Sequence, residues 1–215
     1  MPRSNRRRDA ERARQTLLWL AGVRTALSVL AFPLAPFLFR KHFLLLVLMR
    51  PSQVVLLIGA ILARQGDVNL WAMIAAALPL QLFVVWLYFA LGQRWEHDIR
   101  SDTKLPFVVS RLLHPEQIRR LRAVVRKRGL RFVALARFAL FPTGLLAATA
   151  GASDVERRQF FAVDGAALAV AMAFAIGLGY VLGFSQHEAE VWIAVGGVAG
   201  LLALSGALTF YLWPR

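Results

Sequence analysis

Residues 68–93 read VNLWAMIAAALPLQLFVVWLYFALGQ, from Val68 to Gln93, without one Asp, Glu, Lys or Arg. A helix needs about 20 such residues to cross about 30 Å of hydrocarbon. The run is continuously apolar and does not alternate with period two, which makes a barrel strand a poor alternative. Residues 165–187 and 191–214 are charge-free in the same way. Residues 15–39 are also long enough, although Arg24 interrupts them and Pro33 and Pro36 fall in their second half. Two apolar stretches, 51–63 and 138–153, are too short to span and suit buried or re-entrant segments.

Composition agrees. Of 215 residues 58% are hydrophobic and 18% charged, where soluble domains carry about 25% charged residues. Disorder is excluded by the hydrophobicity. A disulfide-stapled secreted domain is excluded because there is no cysteine. The net charge of +14 falls chiefly in two blocks. Residues 1–14 hold six arginines against Asp9 and Glu11, and residues 94–131 hold eleven Lys/Arg against four acids. A basic block tethered between membrane segments needs no nucleic acid to explain it, so no nucleic-acid partner is expected.

The positive-inside rule places both basic blocks in the cytoplasm, and Glu188 and Glu190 outside. The expected fold is an all-α polytopic membrane protein. A basic cytoplasmic tail (1–14) precedes a single membrane domain (15–215). That domain has about four full transmembrane helices, at 15–39, 69–92, 160–183 and 191–213. Two oppositely oriented re-entrant helical hairpins, about 43–66 and 131–153, accompany them. Both termini are then cytoplasmic. Trp19, Trp71, Trp95, Trp192 and Trp213 fall near span ends, where indoles favour the interface. The amphipathic segment within 94–131 is expected on the inner leaflet, drawn to anionic lipid.

The two halves share a layout: a short Pro/Gly-containing hairpin, a polar turn, then a span ending in glycine. Pro51–Gly66 with Gly59 leads to Gly92; Arg137–Gly151 leads to Gly183. This is the pattern of an inverted repeat with broken helices meeting at mid-membrane. Compositional likeness between apolar helices is the competing explanation.

Arg137 lies in Ala134-Leu-Ala-Arg-Phe-Ala-Leu-Phe-Pro-Thr-Gly144. Arginine entering a membrane is costly unless paired, hydrated or snorkelling. Pro142 and Gly144 break the helix nearby, and a broken helix end beside a guanidinium suits a phosphate. Thr143 lies between them. The alternative is an interfacial arginine close to Arg131. Asp164 reads as a proton carrier, a partner of Arg137 or Arg158, or a charge favoured at the start of its helix. Asp67, and Ser153 or Asp154, read as helix caps. Arg24 and Arg50 read as structural, the latter with Pro51 at the mouth of the first hairpin. Gln81 is expected to face protein or a cavity. Gly177, Gly179 and Gly183 read as close helix packing. No metal-ligand spacing, nucleophile elbow or phosphate loop occurs, so no metal, cofactor or enzymatic activity is expected.

The ordered set Gly129, Arg137-Phe138, Pro142, Gly144, Ala150-Gly151-Ala152-Ser153, Phe160 and Gly179-Tyr180 with Gly183 resembles the DedA membrane proteins, also called the VTT or SNARE-associated Golgi protein family. In the first half Leu57-Ile58-Gly59, Gly66, Tyr88 and Gly92 are similar. The resemblance implies a transporter of phosphate-bearing lipid, flippase or scramblase, for undecaprenyl phosphate or an anionic phospholipid. It also implies a bacterial cytoplasmic (inner) membrane location, and is compatible with a homo-oligomer. Thr143 stands where many members have a second arginine, and Asp164 where asparagine is frequent. Between Arg50 and Arg94 the one acid is Asp67, which argues against proton coupling. Two other readings stay open: a membrane-organising protein acting through its basic helix, and a small-solute or ion transporter.

Overall fold

The computed structural model describes residues 3–97, 115–138, 142–153 and 155–183. The expected fourth span, 191–213, lies outside the described residues. The described residues form helices α1 (Arg3–Lys41), α2 (Phe43–Met49), α3 (Gln53–Gln65), α4 (Leu70–Arg94), α5 (Pro115–Arg128), α6 (Leu130–Phe138), α7 (Thr143–Gly151) and α8 (Arg157–Leu182). Three of these contain stretches long and apolar enough to cross a membrane: Glu11–Leu38 in α1, Leu70–Arg94 and Arg157–Leu182. The chain is thus an all-α protein of multi-pass membrane architecture. Large apolar side chains on α1, α4 and α8 are exposed, among them Trp19, Phe37, Trp71 and Phe174. Such outward apolar surface suits lipid rather than water.

The stretch 51–63 folds mainly as α3, with the short α2 before it, and the stretch 138–153 holds α7. Arg50–Ser52 separate α2 from α3, and Ser52 caps α3 by accepting from Val55 N at 3.3 Å. Gly66, at φ 90°, ends α3 in the left-handed conformation, which glycine adopts without steric cost. Residue 142 precedes α7, while 139–141 lie outside the described residues.

The packing crosses between halves. α3 lies along α8, and α7 lies along α4. Glycines make both approaches close. A Cβ on Gly179 would strike the Leu57 carbonyl, and one on Gly183 the Arg64 side chain. A Cβ on Gly92 would strike the Ala148 carbonyl, and one on Gly151 the Phe89 carbonyl. Small residues let helix backbones approach in this way. Gly59 is closed in by Phe43 and Met73, but Gly177 meets nothing within 4 Å. Phe89, on α4, stacks on Phe160, on α8, with ring centroids 5.0 Å apart.

The arginine-rich residues 3–14 are helical and continuous with the rest of α1. Four local expectations change. The apolar stripe of α5 is buried, Leu121, Val124 and Val125 against α6 and α7, and Ile118 among residues of α1, α4 and α7. It therefore covers protein instead of entering the leaflet, and leaves Arg120, Arg126 and Lys127 exposed. Trp95 is buried beneath Arg14, whose guanidinium carbon is 4.3 Å from the ring centroid. The cap of α4 is Asn69, accepting from Ala72 N at 3.0 Å, while Asp67 is exposed. The N-cap of α8 is Glu156, without a side-chain bond, while the Ser153 hydroxyl donates to the Thr149 carbonyl at 2.6 Å. Asp154 lies outside the described residues.

Candidate functional site

The Arg137 side chain is almost fully buried at the last turn of α6. It does not snorkel. Its Nε donates to Asp164 Oδ1 at 2.8 Å and its Nη2 to Oδ2 at 2.6 Å. The side chains of the pair are 3% and 5% exposed. Two parallel bonds from a planar fork are the strongest ion-pair geometry available to a carboxylate. Asp164 therefore does not serve the start of α8; it balances Arg137, and Arg158 is exposed. The Gln53 amide, at the start of α3, donates to the Arg137 carbonyl at 2.9 Å. That bond supplies one carbonyl near the end of α6 with a donor.

Beside this pair lies a cavity of about 640 Å³, partly open to the surface. Three arginines line it: Arg24 from α1, Arg50 from the α2–α3 turn, and Arg137. The starts of two helices also line it, α3 through Pro51, Ser52 and Gln53, and α7 through Pro142, Thr143 and Gly144. A helix start carries unpaired N–H groups and partial positive charge. α7 has no side-chain cap at all. Gln81 enters from near the middle of α4, and Tyr88 from one to two turns further along the same helix. The hydroxyls of Tyr88 and Thr25 lie 2.9 Å apart, and a Cβ on Gly144 would sit 3.1 Å from the Tyr88 ring. No carboxylate is among the described residues that line the cavity.

Arg24 and Arg50, which the sequence reads as structural, also line the cavity. Arg24 Nη1 donates to the Met49 carbonyl at 2.5 Å and lies 3.4 Å from the Leu48 carbonyl. Both carbonyls are orphans of the end of α2. The Ser28 hydroxyl lies 3.5 Å from the same Met49 oxygen. Arg50, the next residue, holds its guanidinium carbon 3.7 Å from the Phe32 ring centroid. The available signal was position: Arg24 falls at the middle of the span Glu11–Leu38, where a charge is most costly and so most informative.

Of the expected site residues, Arg137, Thr143, Gly144, Pro142, Arg50 and Pro51 share the cavity. Asp164 meets it through Arg137. Gly59, Gly151, Gly179 and Gly183 act in helix packing. Among the described residues no group of three or more His, Cys, Asp or Glu could hold a metal ion. No family model matches the chain, and no curated protein or solved structure is significantly similar to it.

Proposed function

We propose that this chain is a lipid transporter of the DedA type, moving a phosphate-bearing lipid such as undecaprenyl phosphate or an anionic phospholipid across a bacterial cytoplasmic membrane. One observation carries the proposal. A cavity lined in part by Arg24, midway along the apolar stretch Glu11–Leu38, gathers three arginines and two helix starts, and no carboxylate from the described residues. Phosphate oxygens suit that surface, since backbone N–H groups and guanidinium forks both donate to them. An acyl or prenyl tail would remain in the lipid along the exposed apolar faces.

In this reading α2–α3 and α6–α7 are re-entrant hairpins of opposite orientation within an inverted repeat. The crossed packing supports it: each short helix, α3 or α7, lies on the long helix of the other half. The glycines near the ends of α4 and α8 make equivalent close approaches. Broken helices whose starts face one central site are the arrangement by which such transporters hold anions.

The test is transport. The purified chain is reconstituted in vesicles carrying labelled undecaprenyl phosphate or labelled phospholipid, and movement between leaflets is timed. Wild type accelerates at least one of them over protein-free vesicles, and Thr143→Trp, which fills the space between the helix starts, slows it. Equal rates with and without wild-type protein for every lipid tested remove the proposal.

A further inference from the structure

We propose that the phosphate is received by Arg24 and Arg50, not by Arg137, and that this pair matches a phosphate monoester dianion better than a diester. The proposal rests on reading the cavity as a lipid-phosphate site and names the residues and charge within it.

Arg137 has its fork filled. Two of its donors lie on Asp164, and the pair adds no net charge to the cavity. A phosphate taking Arg137 would strand a carboxylate that is 5% exposed, which is strongly unfavourable. Arg24 and Arg50 have no such partner: neither has an ion pair among the described residues. Arg24 is 9% exposed, and its Nε has no acceptor. Its Nη1 bond to the Met49 carbonyl fixes the side chain directly beside Arg50 in the chain. Arg50 stacks on Phe32, and a stacked guanidinium keeps its in-plane donors for a ligand. The Gln81 amide nitrogen is likewise buried without an acceptor.

Two uncompensated cations at this depth favour an anion of matching charge. A phosphate monoester carries about −1.5 to −2 near neutral pH and offers three terminal oxygens. A diester carries one negative charge and offers two such oxygens. The monoester can therefore answer both guanidinium groups at once.

The test uses the full chain in nanodiscs of zwitterionic phosphatidylcholine. Phosphatidic acid, a monoester, and phosphatidylglycerol, a diester, are titrated in, with inorganic phosphate as a soluble competitor. Wild type binds phosphatidic acid more tightly, by about tenfold, the effect of one charge-assisted hydrogen bond. Arg24→Gln and Arg50→Gln each lower that affinity by about tenfold, and the double variant loses the preference. Gln at 24 retains a donor for the Met49 carbonyl, and the Arg50 side chain makes no hydrogen bond among the described residues, so thermal melts stay near wild type. The neutral pair Arg137→Gln with Asp164→Asn keeps the preference.

Wild-type affinity in both arginine variants, or loss of the preference in the neutral-pair variant, overturns the assignment. Outcomes for the two proposals separate. Transport by wild type that is unchanged in the Arg24→Gln/Arg50→Gln variant sinks the subsite and leaves the transport reading standing. Displacement of phosphatidic acid by inorganic phosphate at equal concentration supports the subsite and overturns the lipid as its ligand.

Discussion

Arg137 and Asp164 stand 27 residues apart and meet in a buried, two-point ion pair. Such a pair is worth little against an apolar replacement, yet breaking it is costly because one charge is left stranded. Asp164→Ala should therefore lower unfolding free energy by about 3–5 kcal/mol. Adding Arg137→Met to that variant should recover most of the loss. Denaturant unfolding in detergent checks both, and a double variant no better than the single one contradicts the ion-pair account. The sequence suggested Arg137 and Arg158 equally as partners of Asp164, because spacing does not say which face of α8 meets α6. Caps show the same gap on a smaller scale. Asp67 and Asn69 both flank a helix start, but Asn69 alone bonds the first turn of α4. Asn69→Ala should cost about 1 kcal/mol, and Asp67→Ala close to nothing, in the same unfolding measurement.

At the scale of elements, glycine decides how close α3 and α8, and α4 and α7, can come. The run of glycines in α8 was legible as a packing surface. Which of them pack was not, because that depends on the rotation of α8 against a helix more than a hundred residues earlier in the chain. Gly179 faces the Leu57 carbonyl, whereas Gly177, two residues away, meets open space. Gly179→Ala and Gly151→Ala should each destabilise by about 1–3 kcal/mol, since backbone cannot yield as a side chain can. Gly177→Ala should be neutral or stabilising by up to about 1 kcal/mol, the helix-propensity difference. Melting temperatures in detergent rank the three, and a destabilised Gly177→Ala would refute this assignment of faces. The long apolar runs were readable because their signal is local and needs no partner. The stripe of α5 was readable as a stripe but not as to its partner, because amphipathicity identifies a face without naming what covers it.

Over the whole molecule the same distinction separates what was visible from what was not. Arg137, Pro142, Thr143 and Gly144 are contiguous, and their chemistry could be read from a short window. The rest of the cavity is assembled from α1, the α2–α3 turn and the start of α3, α4 and Gln117 of α5, and only the folded chain adds Arg24 and Arg50 to it. This changes the electrostatics of the site from one arginine near a helix break to a positive basin. Because the chain contains no cysteine, single cysteines can test the basin without background. Ser28 and Thr143 line the cavity from opposite halves of the chain, while Trp19 is 75% exposed on the apolar outer face of α1. Ser28→Cys and Thr143→Cys should react with a water-soluble anionic thiosulfonate faster than with its cationic counterpart, by about tenfold at low salt. Raising the salt should shrink that ratio, because the field that steers the reagent is screened. Trp19→Cys should show a smaller charge preference, since Trp19 is not among the residues that line the cavity. A saturating phosphate-bearing lipid should protect Ser28→Cys and Thr143→Cys together, because one occupant spans both halves of the lining. Protection of one position alone, or a cationic preference at either, would mean that the two halves do not form a single anion site.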